Sequence, residues 1–201
     1  MPRVSEAHKE ARRAQIVDAA LRCFQRKGFH PTTMDDIVRE SGLSAGAVYT
    51  YFRGKDDLIV EVGSHRLDDV QTTIAALAVA EPVPAPADVV ARLVERVVEI
   101  TTLGDLDIAR IIVHGWGETV RNDRLRDAVR GAYATFRADA ATLVRRWQAA
   151  GLVSPSVDPD EAAPALLALM LGFIVQRAVI GPVDPAAYAR GAAALLAGPA
   201  G

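Results

Sequence analysis

Apolar residues return at steps of three and four over most of the chain. Between about residues 8 and 27 they are Ile16, Ala19, Ala20, Cys23 and Phe24, while Arg12, Arg13, Arg22, Arg26 and Lys27 occupy the other faces. That spacing is one side of an amphipathic helix, and Gly28 ends it. Pro31 prevents a helix from running through. Thr33 and Asp36 have the spacing of a capping box, with Asp in place of Glu or Gln. A second helix is predicted from about Met34 to Ser41, burying Ile37 and Val38. Gly42 stops it in a left-handed conformation, Leu43 fills the turn, and Ser44 caps a third helix from Ala45 to about Phe52.

Six more helices follow from the same pattern. Helix four starts at Lys55-Asp56-Asp57, acidic residues suited to a first turn, and runs to about Ala80. Glu81 to Pro86 is a Pro-rich break, read as an ordered loop. Helix five is predicted from Asp88 to near Gly104, helix six from about Asp105 to Val120, and helix seven from Asn122-Asp123 to Ala150. Helix eight spans about Asp160 to Ile180, and Pro185 opens helix nine, which reaches about Ala197. No strand-period run and no long repeat is visible. The expected fold is all-α, with about nine helices.

Gly42-Leu43-Ser44-Ala45-Gly46 matches G-x-S-x-G, the nucleophile elbow of α/β-hydrolases. An elbow needs a strand entering the turn and a helix leaving it. Here a short capped helix precedes Ser44, and the histidines that would complete a triad, His65 and His114, fall in helical patterns. Two short helices joined by a tight Gly-containing turn are instead a helix-turn-helix. An enzyme is not expected.

Composition sharpens this picture. The chain has 201 residues and is 50% hydrophobic, enough for a sizeable core. Net charge is −2, but residues 1–55 carry 10 Lys+Arg against 6 Asp+Glu, while residues 56–201 carry 13 against 19. A basic head on an acidic body suggests a polyanion partner for the head. The single cysteine, Cys23, rules out an intrachain disulfide, fits a reducing compartment, and reads as a buried small hydrophobe. The charged N-terminus has no signal-peptide character. The apolar run from Ala165 to Val175 meets Gln176 and Arg177 before it reaches the roughly 20 residues of a span, so it reads as a buried helix, with no membrane.

Residues 33–58 resemble the signature of the tetracycline-repressor (TetR) family. The elements that carry the likeness are Thr33, Ile37, Ser41-Gly42-Leu43-Ser44, Gly46, Tyr49, Phe52, Lys55 and Leu58. The match runs over about residues 9–60. Beyond it the likeness is in length, helix count and the Ala-rich apolar final helices. The resemblance implies a cytoplasmic, homodimeric, ligand-responsive transcriptional regulator, most often a repressor released from a palindromic operator. Residues 1–54 would bind double-stranded DNA, and residues 55–201 would bind a small-molecule effector and dimerise through helices eight and nine. No cofactor is implied. The alternatives are a DNA-binding dimer that needs no ligand and a helical hydrolase using Ser44, for which the sequence offers no catalytic base nearby.

A helix-turn-helix presents the N-terminal residues of its second helix to base edges. Here these are Ser44, Ala45, Gly46, Ala47 and Thr50. None is a bidentate base reader, so thymine-methyl contacts and DNA shape should carry much of the specificity. The resemblance assigns Thr33, Tyr49 and Lys55 to phosphates, and helix N-termini at Thr33 and Lys55 favour anions. The plainer readings are that Thr33 only caps and Tyr49 only packs. Tyr51 either joins the phosphate contacts or packs on helix one. Arg12 and Arg13 either reach the backbone or minor groove or stay solvated.

Helix eight is apolar on most faces and must be buried on most sides. Gly172 and the small residues of 190–194 would permit close helix approach. The polar or aromatic candidates for an effector pocket are His114, Trp116, Tyr133, Phe136, Met170, Phe173 and Gln176, each also readable as ordinary core. His114 with Glu118, and His65 with Asp69, have i, i+4 spacing. Without an H-E-x-x-H motif or clustered cysteines no metal site is expected.

Overall fold

A computed structural model describes residues 6–103 and 106–196, with backbone alone for residues 65, 66, 103, 106 and 107. Its helices are α1 (Glu6–Lys27), α2 (Met34–Ser41), α3 (Ala45–Tyr51), α4 (Lys55–Val79), α5 (Pro86–Thr101), α6 (Ala109–Glu118), α7 (Asp123–Ala149), α8 (Pro159–Val175) and α9 (Pro185–Leu196). The all-α architecture is the expected one.

Three boundaries differ from expectation. α5 stops at Thr101, three residues before Gly104. The Thr101 hydroxyl donates back to the carbonyl oxygen of Val97 at 2.7 Å, and two β-branched threonines in succession favour extended backbone. Strands β1 (Thr102–Leu103) and β2 (Leu106–Asp107) pair antiparallel, so two short strands stand where none was expected. α6 consequently begins at Ala109; Gly104 and Asp105 lie outside the described residues, as does Ala197. The third difference is at α8. Its α-helical part ends at Val175, and Gln176–Ile180 form a π-helical turn closed by Gly181 N–H to the Gln176 carbonyl at 3.1 Å.

The head is held by local polar signals. Thr33 and Asp36 form the reciprocal capping box. Gly42 sits at φ 67°, where only glycine is unstrained. The Gln15 amide donates to the Ser41 carbonyl at 2.7 Å, fixing the end of α2 to α1. Beneath lies a core of Ile16, Ala20, Phe24, Ile37, Val48 and Phe52, which also takes Leu58, Ile59 and Val62 from α4 and Ile108 and Ile111 from the α6 region. Burial raises the Cys23 thiol above its usual value, in keeping with a packed, unreactive side chain.

A second core joins Ile74 of α4 to Val90, Leu93 and Val97 of α5, Phe136 and Trp147 of α7, and Leu167, Met170 and Phe173 of α8. Trp147 Nε1–H donates to the Pro84 carbonyl at 2.7 Å, so the Pro-rich 81–86 segment is tied down. Gly172 faces α9 of the same chain, with Tyr188 Oη 3.5 Å from where its Cβ would stand. Its small size therefore accommodates an intrachain contact with α9. Pro159–Ile180 is the one stretch among the described residues long and apolar enough to cross a bilayer by length and composition.

Asp36 accepts from Lys27 Nζ at 2.7 Å and from the Thr33 N–H at 3.1 Å. These contacts, Lys27 first, hold its carboxyl well below the ordinary 3.8. A depressed carboxylate stabilises the fold above its unfolded pKa, and that stability is lost as pH falls toward the folded value. Asp36→Asn is expected to lower Tm at neutral pH. The gap to the parent should shrink as pH drops below about 4, which thermal melts across pH will test.

Candidate nucleic-acid interface and internal cavity

α3 is seven residues long, and its outward face is sharply defined. Ala45, Gly46, Tyr49 and Thr50 are exposed, while Val48 is buried. Ser44 accepts from the Ala47 N–H at 3.2 Å. Its hydroxyl is thus a helix cap in a helix–turn–helix, which is not elbow geometry. Thr50 Oγ1 donates to the Gly46 carbonyl at 2.8 Å. Ala47 is half-buried and stands on the flank of the face instead of its centre. Tyr49 is 47% exposed, which places it outside the core. Tyr51 is half-buried and packs against the head core, in line with the second of its two readings.

The cations of the head are mostly engaged. Arg22 and Arg26 both pair with Glu40, at 3.0 and 2.6 Å, and they lower the Glu40 pKa, Arg26 most. Arg13 grips Glu61 of α4 through two hydrogen bonds and lies 5.1 Å from the Phe52 ring centroid. It braces α1 against α4 and is not a free arm. Arg12 donates to Gln15 at 2.9 Å. Lys55 Nζ donates to the carbonyls of Phe29 and His30 at 2.7 and 3.0 Å. Two of its three protons are thereby committed to the α1–α2 loop, leaving one for an anion.

A cavity of about 100 Å³ lies between α4, α6, α7 and α8. Trp116, Tyr133, Phe136 and Met170 line it, four of the seven pocket candidates. The other three do not. His114 is exposed. Phe173 is fully buried and stacks obliquely on Tyr188 with centroids 5.0 Å apart. Gln176 opens the π-helical turn, outside the lining. The reason lies in α8: residues 166, 167, 170 and 174 turn inward, and only part of that side reaches the cavity. Trp116 Nε1–H donates to Tyr133 Oη at 3.0 Å, joining α6 to α7 across the wall.

Among the lining residues that were not pocket candidates, Phe29 and Gln71 stand out. Phe29 belongs to the head core and stacks with Phe24 at 4.7 Å, so the cavity reaches the helix-turn-helix head. Gln71 lies on α4 four residues after Leu67 and three before Ile74, on the stripe that faces inward. A polar residue on an apolar stripe was the available signal. Among the described residues no group of three metal-ligating side chains converges. Glu118 Oε1 lies 3.1 Å from His30 Nε2, pointing to the head and not to His114; the His65 side chain lies outside the described residues.

The clasp predicts its own measurement. Lys55→Ala removes two charge-assisted hydrogen bonds to loop carbonyls. It is expected to cost about 1–3 kcal/mol and to speed amide exchange within residues 28–32, read by hydrogen-exchange mass spectrometry.

Residues 16–62 match the model of bacterial regulatory proteins of the tetR family. Residues 86–198 match that of the BetI-type transcriptional repressor C-terminal region. The HTH-type transcriptional regulator BetI of Burkholderia lata is 28% identical over 193 residues, 92% of this chain and 90% of that one. The HTH-type regulator YfiR of Bacillus subtilis is 48% identical over 65 residues, 31% of this chain and 32% of its own. The chain thus spans about a third of the length of the relatives of that kind. Among solved structures, Salmonella enterica GusR superposes with a TM-score of 0.72 at 25% identity, covering 98% of both chains. A TetR regulator from Haloarcula marismortui gives 0.76 at 18% identity, covering 94% and 97%, a likeness of fold.

Proposed function

The chain belongs to the TetR family of bacterial regulatory proteins, and from that premise we propose that it is a homodimeric, cytoplasmic repressor that leaves its operator when a small molecule fills the cavity. The matched proteins are transcriptional regulators and not enzymes. The observation that carries the reading is the pairing of an exposed, capped α3 face with an apolar cavity that reaches the head at Phe29. Ala45, Gly46 and Thr50 meet base edges, with Ser44 and Ala47 at the margins. Tyr49, Thr33 and the remaining proton of Lys55 serve phosphates.

Dimerisation follows from the outer side of α8. Ala165, Ala168, Gly172, Val175 and Val179 recur at steps of three and four, and all are exposed or half-buried. Val179 is 68% exposed, and Leu195 on α9 is 87% exposed. Such a seam has the spacing of helices that pack in pairs, and an apolar patch of this kind marks an interaction surface. A second copy on α8 and α9 would cover it. The same cover accounts for the apolar length of Pro159–Ile180 without a bilayer.

Selection of duplexes from a random pool tests the DNA reading. The selected site is expected to be palindromic, with half-sites about 34–36 Å apart or a multiple. Affinity should fall steeply between about 50 and 200 mM salt. Ala45→Arg is expected to shift one position of each half-site toward guanine, by about 1–3 kcal/mol. Unchanged base preference would remove α3 as the reading helix.

Ala168→Glu places a charge at the centre of the proposed seam. Sedimentation should then show a monomer at micromolar concentration where the parent is a dimer, with operator affinity falling in parallel. A dimer that persists would move the interface elsewhere.

A further inference from the structure

The polar inventory of the cavity identifies the chemistry of its ligand; the inference rests on the effector reading above. Among the described residues no Lys, Arg, His, Asp or Glu lines the cavity. An ion placed there would lose its hydration without a compensating charge, so the ligand is neutral. Most of the wall is aliphatic or aromatic, supplied by Ile59, Val62, Ile112, Leu125, Phe136 and Met170.

Two polar groups break this wall. Gln71 Nε2–H donates to Asp139 Oδ2 at 2.5 Å. A carboxylate only accepts, so this contact fixes the orientation of the amide. Gln71 Oε1 is then left buried without a hydrogen-bond partner among the described residues. A buried carbonyl of this kind is costly and awaits a donor. The second group is Tyr133. Its Oη accepts from Trp116 Nε1–H at 3.0 Å, and among the described residues its own proton has no acceptor. Burial raises the Tyr133 pKa, which keeps that proton on the oxygen as a donor.

Size limits the ligand as well. About 100 Å³ is of the same order as the roughly 150 Å³ apolar cavity that accepts benzene. A single ring is therefore the natural scale. At Gly115, which lines the cavity, an added Cβ would meet nothing within 4 Å, so the wall beside Trp116 is open.

We propose that the cavity binds a small, uncharged, hydroxyl-bearing aromatic molecule of the phenol class, which donates to Gln71 Oε1 and accepts from Tyr133 Oη. A hydroxyl both donates and accepts, so a single group of this kind matches the acceptor of Gln71 and the donor of Tyr133, and the ring suits the apolar remainder of the wall. A simple arene satisfies neither group. A carboxylate has no cation to meet, and a quaternary ammonium has neither donor nor acceptor.

Calorimetric titration of the full-length protein with phenol, toluene, benzoate and tetramethylammonium tests this. Phenol is expected to bind about tenfold or more tighter than toluene, the scale of one buried hydrogen-bonded pair, with benzoate and tetramethylammonium weaker still. Gln71→Leu should keep toluene binding, which reports an intact cavity, and lose most of the phenol advantage. Tyr133→Phe should lose part of it. Toluene equal to phenol, tighter binding of either ion, no binding of any probe, or a phenol advantage untouched in both variants would overturn the proposal. Operator affinity measured with phenol present separates the two readings. Phenol that binds as expected yet leaves DNA affinity unchanged would defeat the effector role while the ligand class stands.

Discussion

α4 is a single 25-residue helix whose two ends belong to different cores. Leu58, Ile59 and Val62 pack in the head with Ile16, Phe24 and Val48, while Ile74 and Ala78 pack with α5, α7 and α8. At 1.5 Å per residue it is a rod of about 37 Å. No flexible linker separates the DNA-binding head from the body. Any displacement of the rod in the body must be felt in the head, because close-packed cores transmit strain instead of absorbing it. The tolerance at the crossing is small. At Gly63 an added Cβ would stand 2.9 Å from Leu125 Cδ1 of α7.

Electrostatics brace the same rod. Arg13 of α1 grips Glu61, Lys55 holds the α1–α2 loop, and Arg124 of α7 reaches Asp57 at 2.5 Å. Arg124 lowers the Asp57 pKa, favouring its carboxylate form. Such half-exposed pairs add little stability each. Their value is positional, because together they set the angle at which α4 leaves the head. Among the described residues most cations of the head are engaged in such contacts. Binding DNA must draw on the net field and on helix N-termini as much as on free arginines.

The head was legible in the sequence because its signals are local. Thr33 with Asp36, Gly42 and Ser44 each act within four residues, and each is where the caps and the left-handed turn occur. The exposed register of α3 followed from the position of Val48, although Ala47 turned out to stand on the flank. The body was legible only in outline. The Thr101–Thr102 break and the π-helical end of α8 depend on backbone hydrogen bonds that hydrophobic spacing does not encode. The cavity was half-legible for a related reason. Aromatic and polar types pointed to Trp116, Tyr133 and Phe136, but which face of a helix meets a void is decided by packing angles between helices. Phe29 was invisible as a lining residue because its own neighbours in sequence belong to the head.

Phe29 is also where the parts of the molecule converge. Its ring bounds the cavity and stacks on Phe24, its carbonyl is held by Lys55 at the start of α4, and the next residue, His30, meets Glu118 at the end of α6. Trp116 stands two residues before Glu118 on that same helix and lines the same cavity. A ligand in the cavity would therefore touch both sides of one junction, Phe29 directly and His30 through α6. Such contacts favour one arrangement of the head only by the difference in ligand affinity between the two arrangements, typically 1–3 kcal/mol. A coupling of that size is comparable to one Lys55 clasp or one buried hydrogen bond. On the proposed effector reading, the junction would be switched without breaking either core: α4 would move as a rod, the loop with it, and the exposed face of α3 would change its distance from the same face of a partner copy.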